Sequence, residues 1–337
     1  MKNKLSISII TCTLNADLAV FKKSLESIKK QRYPKNLVEH IVMDGGSTNG
    51  TIKLAREYNC KVHIRKDLLK QEMTRQSIGI KKAKGGVLLM LPSDNILTSE
   101  DWLEKMTEPF KQNKKVFCTF SAYNSFEKNM SLITRYTAFF GAPHPVLYFL
   151  GKSDKIPMTQ KKYDKGKIVN ETQDNYIVEF SPDNLPTCGD NGHMILKKAM
   201  DTVNTDPDTF AHLDAMLELV QNKYSTFGVV KNSIIHIGKN SIVKDVRRKM
   251  QLKNEFYDKR RGKRKYSVFN WHSNRDRINL LKYVIFSLTF VYPLYQSIKG
   301  YLKVKDSAWF IHPIFCLLML VGLGYSEIKW FANQKLM

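Results

Sequence analysis

The sequence predicts an α/β fold built on a mostly parallel sheet with helices on both faces. Short apolar runs rich in β-branched residues alternate with segments whose apolar residues recur every three or four positions, the pattern of buried strands followed by amphipathic helices. Such an alternation is arranged most economically as a parallel sheet. With 337 residues, 43% of them hydrophobic and 25% charged, the chain is long enough to bury one large core or two modest ones.

The first hundred residues contain this alternation in its clearest form. We expect a strand at 5–12, a helix at 17–31, a strand at 37–43, a helix at 51–58, a strand at 61–64, a helix at 71–84 and a strand at 87–91. The first apolar run follows two lysines, as a targeting signal does. It lasts only about nine residues, however, and its β-branched residues favour a buried strand.

The rest of the chain has a less regular pattern. Residues 194–203 and 212–223 have helical patterns, and residues 227–237 have the pattern of a strand. Residues 130–150 are aromatic and interrupted by proline, and a polar stretch continues to residue 183. We interpret residues 130–183 as an irregular insertion or lid, with an ordinary packed helix and loop as the alternative.

The C-terminal part is typical of a membrane-associated segment. Residues 283–298 and 307–326 contain no Asp, Glu, Lys or Arg, and a helix of about 20 residues spans a bilayer. Pro293, Gln296 and the aromatic residues of the first stretch also suit a helix that lies in the membrane interface. Two buried core helices are the alternative.

The charge distribution points to an anionic partner. The formal net charge is +23, and residues 244–265 contain eleven Lys or Arg against three acidic residues. Because this run directly precedes the apolar stretches, we expect an anionic membrane surface as the partner. Nucleic-acid phosphates would also attract it, but no recognisable nucleic-acid module is present, and we predict no nucleic-acid partner. Five scattered cysteines without a CxxC pair argue against a disulfide framework or a zinc site and indicate a reducing compartment.

Polar clusters follow three of the predicted strands. Residues 11–15 follow the first, "DGGSTNGT" at 44–51 follows the second, and Ser93-Asp94-Asn95 follows the fourth. Ligands of open α/β sheets bind outside the carboxyl ends of the strands, so we expect these clusters to converge on one rim. The glycines of the second cluster allow close backbone approach to a ligand, although it is neither a P-loop nor a dinucleotide fingerprint.

Four titratable residues are candidates for chemistry at this rim. Asp94, in "MLPSDNIL", could hold Mg²⁺ or Mn²⁺, which needs one or two protein carboxylates when substrate phosphates and waters complete its shell; a plain turn is the alternative. His212 and Asp214 open a predicted helix and are either a general base or capping residues. His236 ends the last predicted strand and is either a ligand or an ordinary strand histidine.

Together these segments resemble glycosyltransferase family 2, the inverting nucleotide-sugar transferases of the GT-A fold, over roughly residues 5–250. The resemblance is carried, in this order, by "SIITCTLNA", "SLESIKKQRYP", "HIVMDGGSTNGT", "TRQSIGIKKAKGGVLLMLPSDN", "PTCGDNGHMILKKAMDTV" and "FAHLDAMLELV". Each segment alone is unspecific, and their order is specific. The QxxRW motif of processive synthases is not evident, so the resemblance implies the transfer of a single sugar.

The resemblance also implies roles for individual residues. Asp94 matches the metal-bound second acid of the family's DxD motif, and Pro92 takes the place of the first acid. Asp214 matches the catalytic base. The implied ligands of Mn²⁺ or Mg²⁺ are Asp94 and His236, the implied donor contacts are Thr11, Asn15, Asp44, Gly45, Ser47, Arg75, Ser93, Asp94, His236 and Lys239, and the implied acceptor-side residues are Asp190, Asn191 and His212.

The resemblance and the charge pattern together predict the organisation of the chain. We expect a GT-A domain at 1–250, with a nucleotide-binding half at 1–101 and an acceptor half at 102–250. A basic linker at 251–277 and a membrane-associated helical segment at 278–337 should follow. The expected partners are a UDP- or GDP-linked sugar, a glycan or lipid-linked acceptor and an anionic membrane, with the catalytic domain on the cytoplasmic face. The alternative is a non-catalytic membrane-attached protein that binds nucleotide sugars, of which the missing DxD acid would be the symptom.

Overall fold

The computed structural model describes residues 4–238 and 241–335 and divides the chain into two compact units. The sheet unit comprises Met1–Ser125 and Asp164–His236, and the helical unit comprises Phe126–Tyr163 and Ile237–Met337. The helical unit is therefore built from an internal segment and a C-terminal segment of the chain.

The described residues form the following elements. The strands are β1 (Ile7–Thr13), β2 (Val38–Asp44), β3 (Lys61–Ile64), β4 (Val87–Met90), β5 (Asn95–Leu97), β6 (Val116–Asn124), β7 (Lys167–Glu171), β8 (Asn175–Glu179), β9 (His193–Leu196) and β10 (Thr226–His236). The α-helices are α1 (Leu18–Lys29), α2 (Thr51–Glu57), α3 (Glu72–Lys82), α4 (Trp102–Gln112), α5 (Leu132–Phe140), α6 (Pro145–Phe149), α7 (Lys197–Met200), α8 (His212–Gln221), α9 (Ile242–Leu252), α10 (Asn274–Thr289), α11 (Val291–Lys303) and α12 (His312–Lys335).

All of these strands lie in one sheet of the sheet unit, in the order β3-β2-β1-β4-β9-β6-β10-β8-β7, with β5 paired to β10. Seven of them run in one direction, and β5, β8 and β9 run against them. The expected α/β fold with a mostly parallel sheet is confirmed. Because β1, β2 and β4 are parallel neighbours, their carboxyl ends meet at one edge, which we call the rim.

The central strands are buried on both faces, which explains their continuous apolar sequences. On one face, residues such as Ile9 and Leu89 pack with Trp102 and Met106 of α4. On the same face, α1 buries Phe21 and Leu25 against β2 and α2. Helix α3 covers the other face, where an added Cβ on Gly79 would lie 2.8 Å from Ile10. Helix α1 begins where the Asp17 carboxylate accepts hydrogen bonds from the backbone N–H groups of Ala19 and Val20, as an N-cap residue does.

Two expectations about the second half of the chain are wrong. Residues 194–203 do not form one helix, because β9 occupies the first of these positions and only Lys197–Met200 is helical. β9 fills the gap between β4 and β6, and a buried apolar run of this length does not distinguish strand from helix. The 130–183 region is also not irregular throughout, since it contains α5, α6 and the hairpin of β7 and β8.

The helical unit has an aromatic core of its own, in which the 130–150 segment forms packed helices. The rings of Phe139 and Trp309 stack with centroids 4.5 Å apart and an angle of 8° between their planes. The α-carbon of Gly300, on α11, faces the same indole closely enough that an added Cβ would lie 2.3 Å from it. Tyr136 donates from its hydroxyl to Nδ1 of His312, whose Nε2 pairs with Oε1 of Gln296. The neutral Nε2–H tautomer of His312 satisfies both contacts.

The helical unit also exposes many apolar side chains. Among the described residues, Ser307–Asn333 is helical, long and apolar enough to cross a membrane, with 44% of its most apolar window buried inside the structure. α10 and α11 meet at an angle of 84° and together also reach the length of a span. The large apolar side chains that these two helices expose are Ile278, Leu281, Ile285, Leu288, Val291, Tyr292, Leu294, Tyr295, Ile298 and Leu302.

Candidate functional site

The loop after β2 is ordered around a buried carboxylate. Asp44 is fully buried, and its two oxygens accept hydrogen bonds from the backbone N–H groups of Gly46 and Ser47 and from the hydroxyls of Thr13 and Ser47, at 2.6–2.7 Å. The oxygens of Asp44 therefore accept their hydrogen bonds from groups of the protein itself. Asp44 fixes the shape of the 44–51 loop, whose backbone and outer side chains face the rim.

A second set of contacts ties the loops after β1 and β2 together. Oδ1 of Asn15 accepts a hydrogen bond from the Thr48 backbone N–H at 2.9 Å, and the Asn15 backbone N–H donates to Oγ of Ser47 at 2.7 Å. Thr11 is buried, and its hydroxyl donates to the Leu91 carbonyl at 2.7 Å. The loops after β1, β2 and β4 thus form one connected rim, as the sequence predicts.

Arg75 supports this rim from α3. Its guanidinium is buried and donates from Nη1 to the carbonyls of Leu68 and Leu69. A Cβ at Gly45 would lie 2.9 Å from Nη1 of Arg75, so glycine at position 45 allows the guanidinium to reach the loop. Arg75 brings a positive charge beneath the 44–51 loop.

Asp94 lies at the tip of a tight turn. The backbone N–H of Asn95 donates to the Pro92 carbonyl at 3.0 Å, which makes Pro92 the first residue of a β-turn and places Ser93 and Asp94 at its two corners. Both corner residues are half-buried. Pro92 therefore takes part in the turn through its carbonyl.

The strand after this turn brings a histidine to Asp94. β5 pairs antiparallel with β10 so that Asn95 lies opposite His236. Nε2 of His236 consequently lies 3.6 Å from Oδ2 of Asp94. A carboxylate and an imidazole from distant parts of the sequence form one pair at the rim.

The loop before β9 completes this part of the site. Nδ2 of Asn95 lies 3.3 Å from Oδ1 of Asn191, whose backbone adopts the left-handed conformation with φ of 53°. The pKa of Asp190 is raised to about 6, chiefly because burial disfavours its charged form; the Asn191 backbone and the His236 charge oppose this rise, and the charge of Asp94 adds to it. Asp190 is thus a carboxyl group close to the Asp94 and His236 pair.

Helix α8 presents different residues on its different sides. His212 approaches Gly189, where an added Cβ would lie 3.6 Å from the imidazole, and Met216, one turn later, approaches the same glycine. Nδ1 of His212 also lies 3.3 Å from Sδ of Met73. Asp214 is half-buried and lies two positions farther along, and helical side chains two positions apart point in nearly opposite directions. His212, rather than Asp214, shares a helix side with the contact to the Asp190 loop.

The residues at the rim fit a divalent cation whose coordination shell is completed by substrate oxygens and water. Among the described residues, no group of three or more His, Cys, Asp or Glu side chains is placed to hold a metal. Asp94 and His236 offer one carboxylate oxygen and one imidazole nitrogen. Mg²⁺ and Mn²⁺ sites commonly use one or two protein carboxylates and take further oxygens from phosphates and water.

The structure brings together most of the residues named from the sequence. Asp94, His236, Asp190 and Asn191 form one cluster, and the residues of the first two loops form a second group along the same rim. Lys239 lies outside the described residues. Sequence reasoning included Asn95 in the polar cluster after the fourth strand but gave it no role. Asn95 is fully buried and contacts both Asp94 and Asn191.

Comparison with known proteins identifies the family of the chain. Residues 8–183 match the family model described as "Glycosyl transferase family 2". The glycosyltransferase AglE of Haloferax volcanii is 30% identical over 87 residues, which are 25% of this chain and 28% of that protein. The match thus spans less than a third of the length of that relative.

Solved structures show similarity at the level of the fold. The mannosyltransferase PcManGT from Pyrobaculum calidifontis, in complex with GDP-Man and Mn²⁺, superposes with a TM-score of 0.55 and 10% identity, over 97% of this chain and 88% of that chain. TarS 1–349 of S. aureus gives a TM-score of 0.46 and 15% identity, over 74% of this chain and 64% of that chain.

Proposed function

The chain belongs to glycosyltransferase family 2, and from this premise we propose that it transfers one sugar from a UDP- or GDP-linked donor to a hydroxyl acceptor, with inversion at the anomeric carbon. The observation that carries the proposal is the cluster of Asp94, His236 and Asp190 at the rim. Asp94 and His236 could hold a cation that compensates the charge of the diphosphate, and Asp190 provides a carboxyl group able to accept a proton.

Mn²⁺ or Mg²⁺ would be held by Asp94 and His236. When bound, the cation supplies positive charge to the diphosphate leaving group. The imidazole favours Mn²⁺ over Mg²⁺, because Mg²⁺ strongly prefers oxygen ligands. PcManGT was solved with GDP-Man and Mn²⁺, which supports the choice.

The nucleotide would lie against the ordered loops after β1 and β2. Since the Asp44 oxygens already accept hydrogen bonds from protein groups, we propose that Asp44 acts by holding the loop in shape. Asn15, Gly45 and Ser47 form the surface that meets the donor, and Arg75 contributes positive charge beneath it. A loop that is ordered before binding loses little conformational entropy when the donor arrives.

A proton acceptor must take the hydrogen of the acceptor hydroxyl as that oxygen attacks the anomeric carbon. The resemblance assigns this role to Asp214. We favour Asp190, because its charge interacts with Asp94 and His236, and because burial raises its pKa to about 6 in the metal-free protein, within reach of a base that works near neutral pH. His212, on the helix side that faces the Asp190 loop, would contact the acceptor.

We propose that the helical unit attaches the enzyme to an anionic membrane at its cytoplasmic face. The exposed apolar side chains of α10 and α11 include Val291 at 73% exposure and Leu302 at 68%, and such side chains favour a lipid environment. The basic run at 244–265 would contact anionic head groups. Membrane attachment makes a lipid-linked or envelope glycan acceptor the natural substrate.

A panel of nucleotide sugars tests the donor assignment. With Mn²⁺ present, we expect one UDP- or GDP-linked sugar to raise the melting temperature of the protein and to be hydrolysed slowly. Binding without any turnover, even with candidate acceptors, would support the alternative of a non-catalytic nucleotide-sugar-binding protein, for which Pro92 in place of an acid is the supporting observation. If no member of the panel binds, the proposal is wrong.

Flotation with vesicles tests the membrane assignment separately. We expect the protein to float with anionic vesicles and the double variant Val291→Glu, Leu302→Glu to remain at the bottom of the gradient. Ile64→Glu changes a side chain of the sheet unit that is 40% exposed and serves as the matched control. Flotation of the double variant at the level of the unchanged protein would contradict the assignment.

A further inference from the structure

A cavity of about 440 Å³ lies at the edge of the sheet opposite to the rim. Its walls include the residues that begin β6 and β10 and the residues that end β8 and β9. β10 has eleven residues, with Thr226 in the cavity wall and His236 at the rim. At about 3.3 Å per residue, roughly 30 Å separate the cavity from the pair of Asp94 and His236. The cavity is therefore no part of the donor site.

Four lysines give this cavity its charge: Lys114, Lys115, Lys198 and Lys223. All four are exposed, and none of their ammonium groups forms an ion pair with an acidic side chain within the part of the chain that the structure describes. The one acidic residue of the lining, Glu179, lies 3.7 Å from Nζ of Lys167 on the neighbouring strand. The cavity thus concentrates positive charge that no ion pair with a described acidic side chain neutralises.

Two features indicate that the wall of the cavity has a defined conformation. Lys223 follows α8 with a left-handed backbone, φ of 70°, at a position that usually holds Gly or Asn. The ring of Tyr224 packs on buried Phe117 with centroids 5.5 Å apart, which fixes the phenol in the cavity lining. The volume lies in the range of small-molecule sites, and lysine ammonium groups bind phosphate oxygens as point charges.

We propose that this cavity, which we call the lysine pocket, is a second anion site that binds a soluble ligand with two or more adjacent phosphate groups. Several lysine side chains in one lining match several phosphate oxygens, and the volume accommodates a diphosphate or a short phosphodiester. Its distance from the rim excludes direct contact between a ligand in the pocket and the donor or the metal.

Calorimetric titration with inorganic pyrophosphate tests the proposal. The protein carries Asp94→Asn and the buffer contains a chelator, so that the donor site does not contribute. We expect saturable binding that weakens as salt is added, and a loss of about fivefold in affinity for each of Lys223→Asn and Lys198→Gln. Lys223→Asn suits the left-handed backbone, so its folding is retained. Lys53→Gln, on α2, removes an equal charge elsewhere and should leave affinity unchanged.

The remaining outcomes contradict the proposal. Absence of pyrophosphate binding, or an equal loss in all three variants, would overturn it. Vesicles of neutral and anionic phospholipid in equal parts provide the last comparison. If the pocket variants lose vesicle binding but keep pyrophosphate binding, the lysines contact a membrane and the soluble ligand is excluded. Because the readout is binding with the donor site disabled, the result does not depend on whether the chain transfers sugar.

Discussion

Nε2 of His236 lies 3.6 Å from Oδ2 of Asp94, although 142 residues separate them in sequence. Two backbone features cause this proximity. The turn that begins at Pro92 places Asp94 at its tip, and the antiparallel register of β5 and β10 sets His236 opposite Asn95. The backbone therefore determines the proximity of the two residues. Substitution of either side chain should leave the turn and the strand pairing unchanged.

The first prediction concerns metal affinity. Asp94→Asn should nearly abolish Mn²⁺ binding in the presence of a nucleoside diphosphate, and His236→Asn should weaken it by about tenfold, because the metal then has one protein ligand fewer. Paramagnetic resonance of free Mn²⁺ measures both. Glu100→Gln, an exposed carboxylate of the same segment, is the control. Equal Mn²⁺ affinity in Asp94→Asn and the unchanged protein would exclude a metal at this position.

The second prediction concerns Pro92. Since this residue contributes its carbonyl to the turn, Pro92→Ala should keep the turn and the affinity for Mn²⁺. The free energy of unfolding should fall by less than about 1 kcal/mol, from the greater flexibility of the unfolded chain. Chemical denaturation and Mn²⁺ titration measure the two quantities. A large loss of metal affinity in Pro92→Ala would show that the proline ring itself shapes the site.

The third prediction concerns pH. If Asp190 accepts the proton, kcat/KM should rise with pH to a plateau reached by about pH 6, since only the deprotonated carboxyl group is a base. Burial raises the pKa of Asp190 to about 6 in the metal-free protein, and the charge of bound Mn²⁺ lowers it from there. Asp190→Asn should lower kcat by about 10² to 10⁴, whereas Asp214→Asn should lower it by less than about tenfold. The reverse order of the two losses would return the role to Asp214.

The same carboxyl group links catalysis to stability. Burial raises the pKa of folded Asp190 above its unfolded value near 3.9, so ionisation disfavours the folded state as pH rises from that value through about 6. Asp190→Asn should therefore raise the melting temperature at pH 8 and have little effect near pH 4. A melting temperature at pH 8 that is unchanged or lower would show that the raised pKa is not present in solution.

The fourth prediction concerns Glu39 on β2. Burial raises the pKa of this carboxyl group, but hydrogen bonds from Lys61, from the Ser8 hydroxyl and from the Lys84 backbone together lower it to about 2. Its contribution to stability is present above the unfolded pKa near 4.3 and is lost as pH falls towards 2. Glu39→Gln should cost about 1–2 kcal/mol at pH 7 and much less near pH 2, as denaturation at the two pH values would show.

Exposed Glu57 provides the matched control for this measurement. Glu57→Gln should change the free energy of unfolding by less than about 0.5 kcal/mol at either pH. If Glu39→Gln and Glu57→Gln behave alike at pH 7, the hydrogen bonds to Glu39 contribute nothing measurable to stability.

The sequence predicts the elements whose pattern is determined locally. β1 to β4 and α1 to α3 lie where strand and helix patterns alternate, and α8 and β10 follow the same rule. β3 and β4 are as short as β9, but they lie within the regular alternation, whereas β5 and β9 escape prediction because they owe their conformation to partners far along the chain. Their pairing, rather than any local preference, makes them strands.

The site likewise contains features that are determined locally and features that depend on distant residues. Asp94 and the 44–51 loop are visible in the sequence, because a polar cluster at the end of an apolar strand is a local signal. The proximity of His236 depends on the register of β5, and the raised pKa of Asp190 depends on burial and on the charges of Asp94 and His236. Neither property is encoded in residues close to it in sequence.

The central claim is that the rim is a metal-dependent nucleotide-sugar site. Release of UDP or GDP from a nucleotide sugar, followed with and without Mn²⁺ in the unchanged protein and in Asp94→Asn, tests it most directly. We expect release that requires Mn²⁺ and falls by at least about 10² in Asp94→Asn. Release at the same rate in Asp94→Asn, or the absence of release from every UDP- and GDP-linked sugar, would contradict the account.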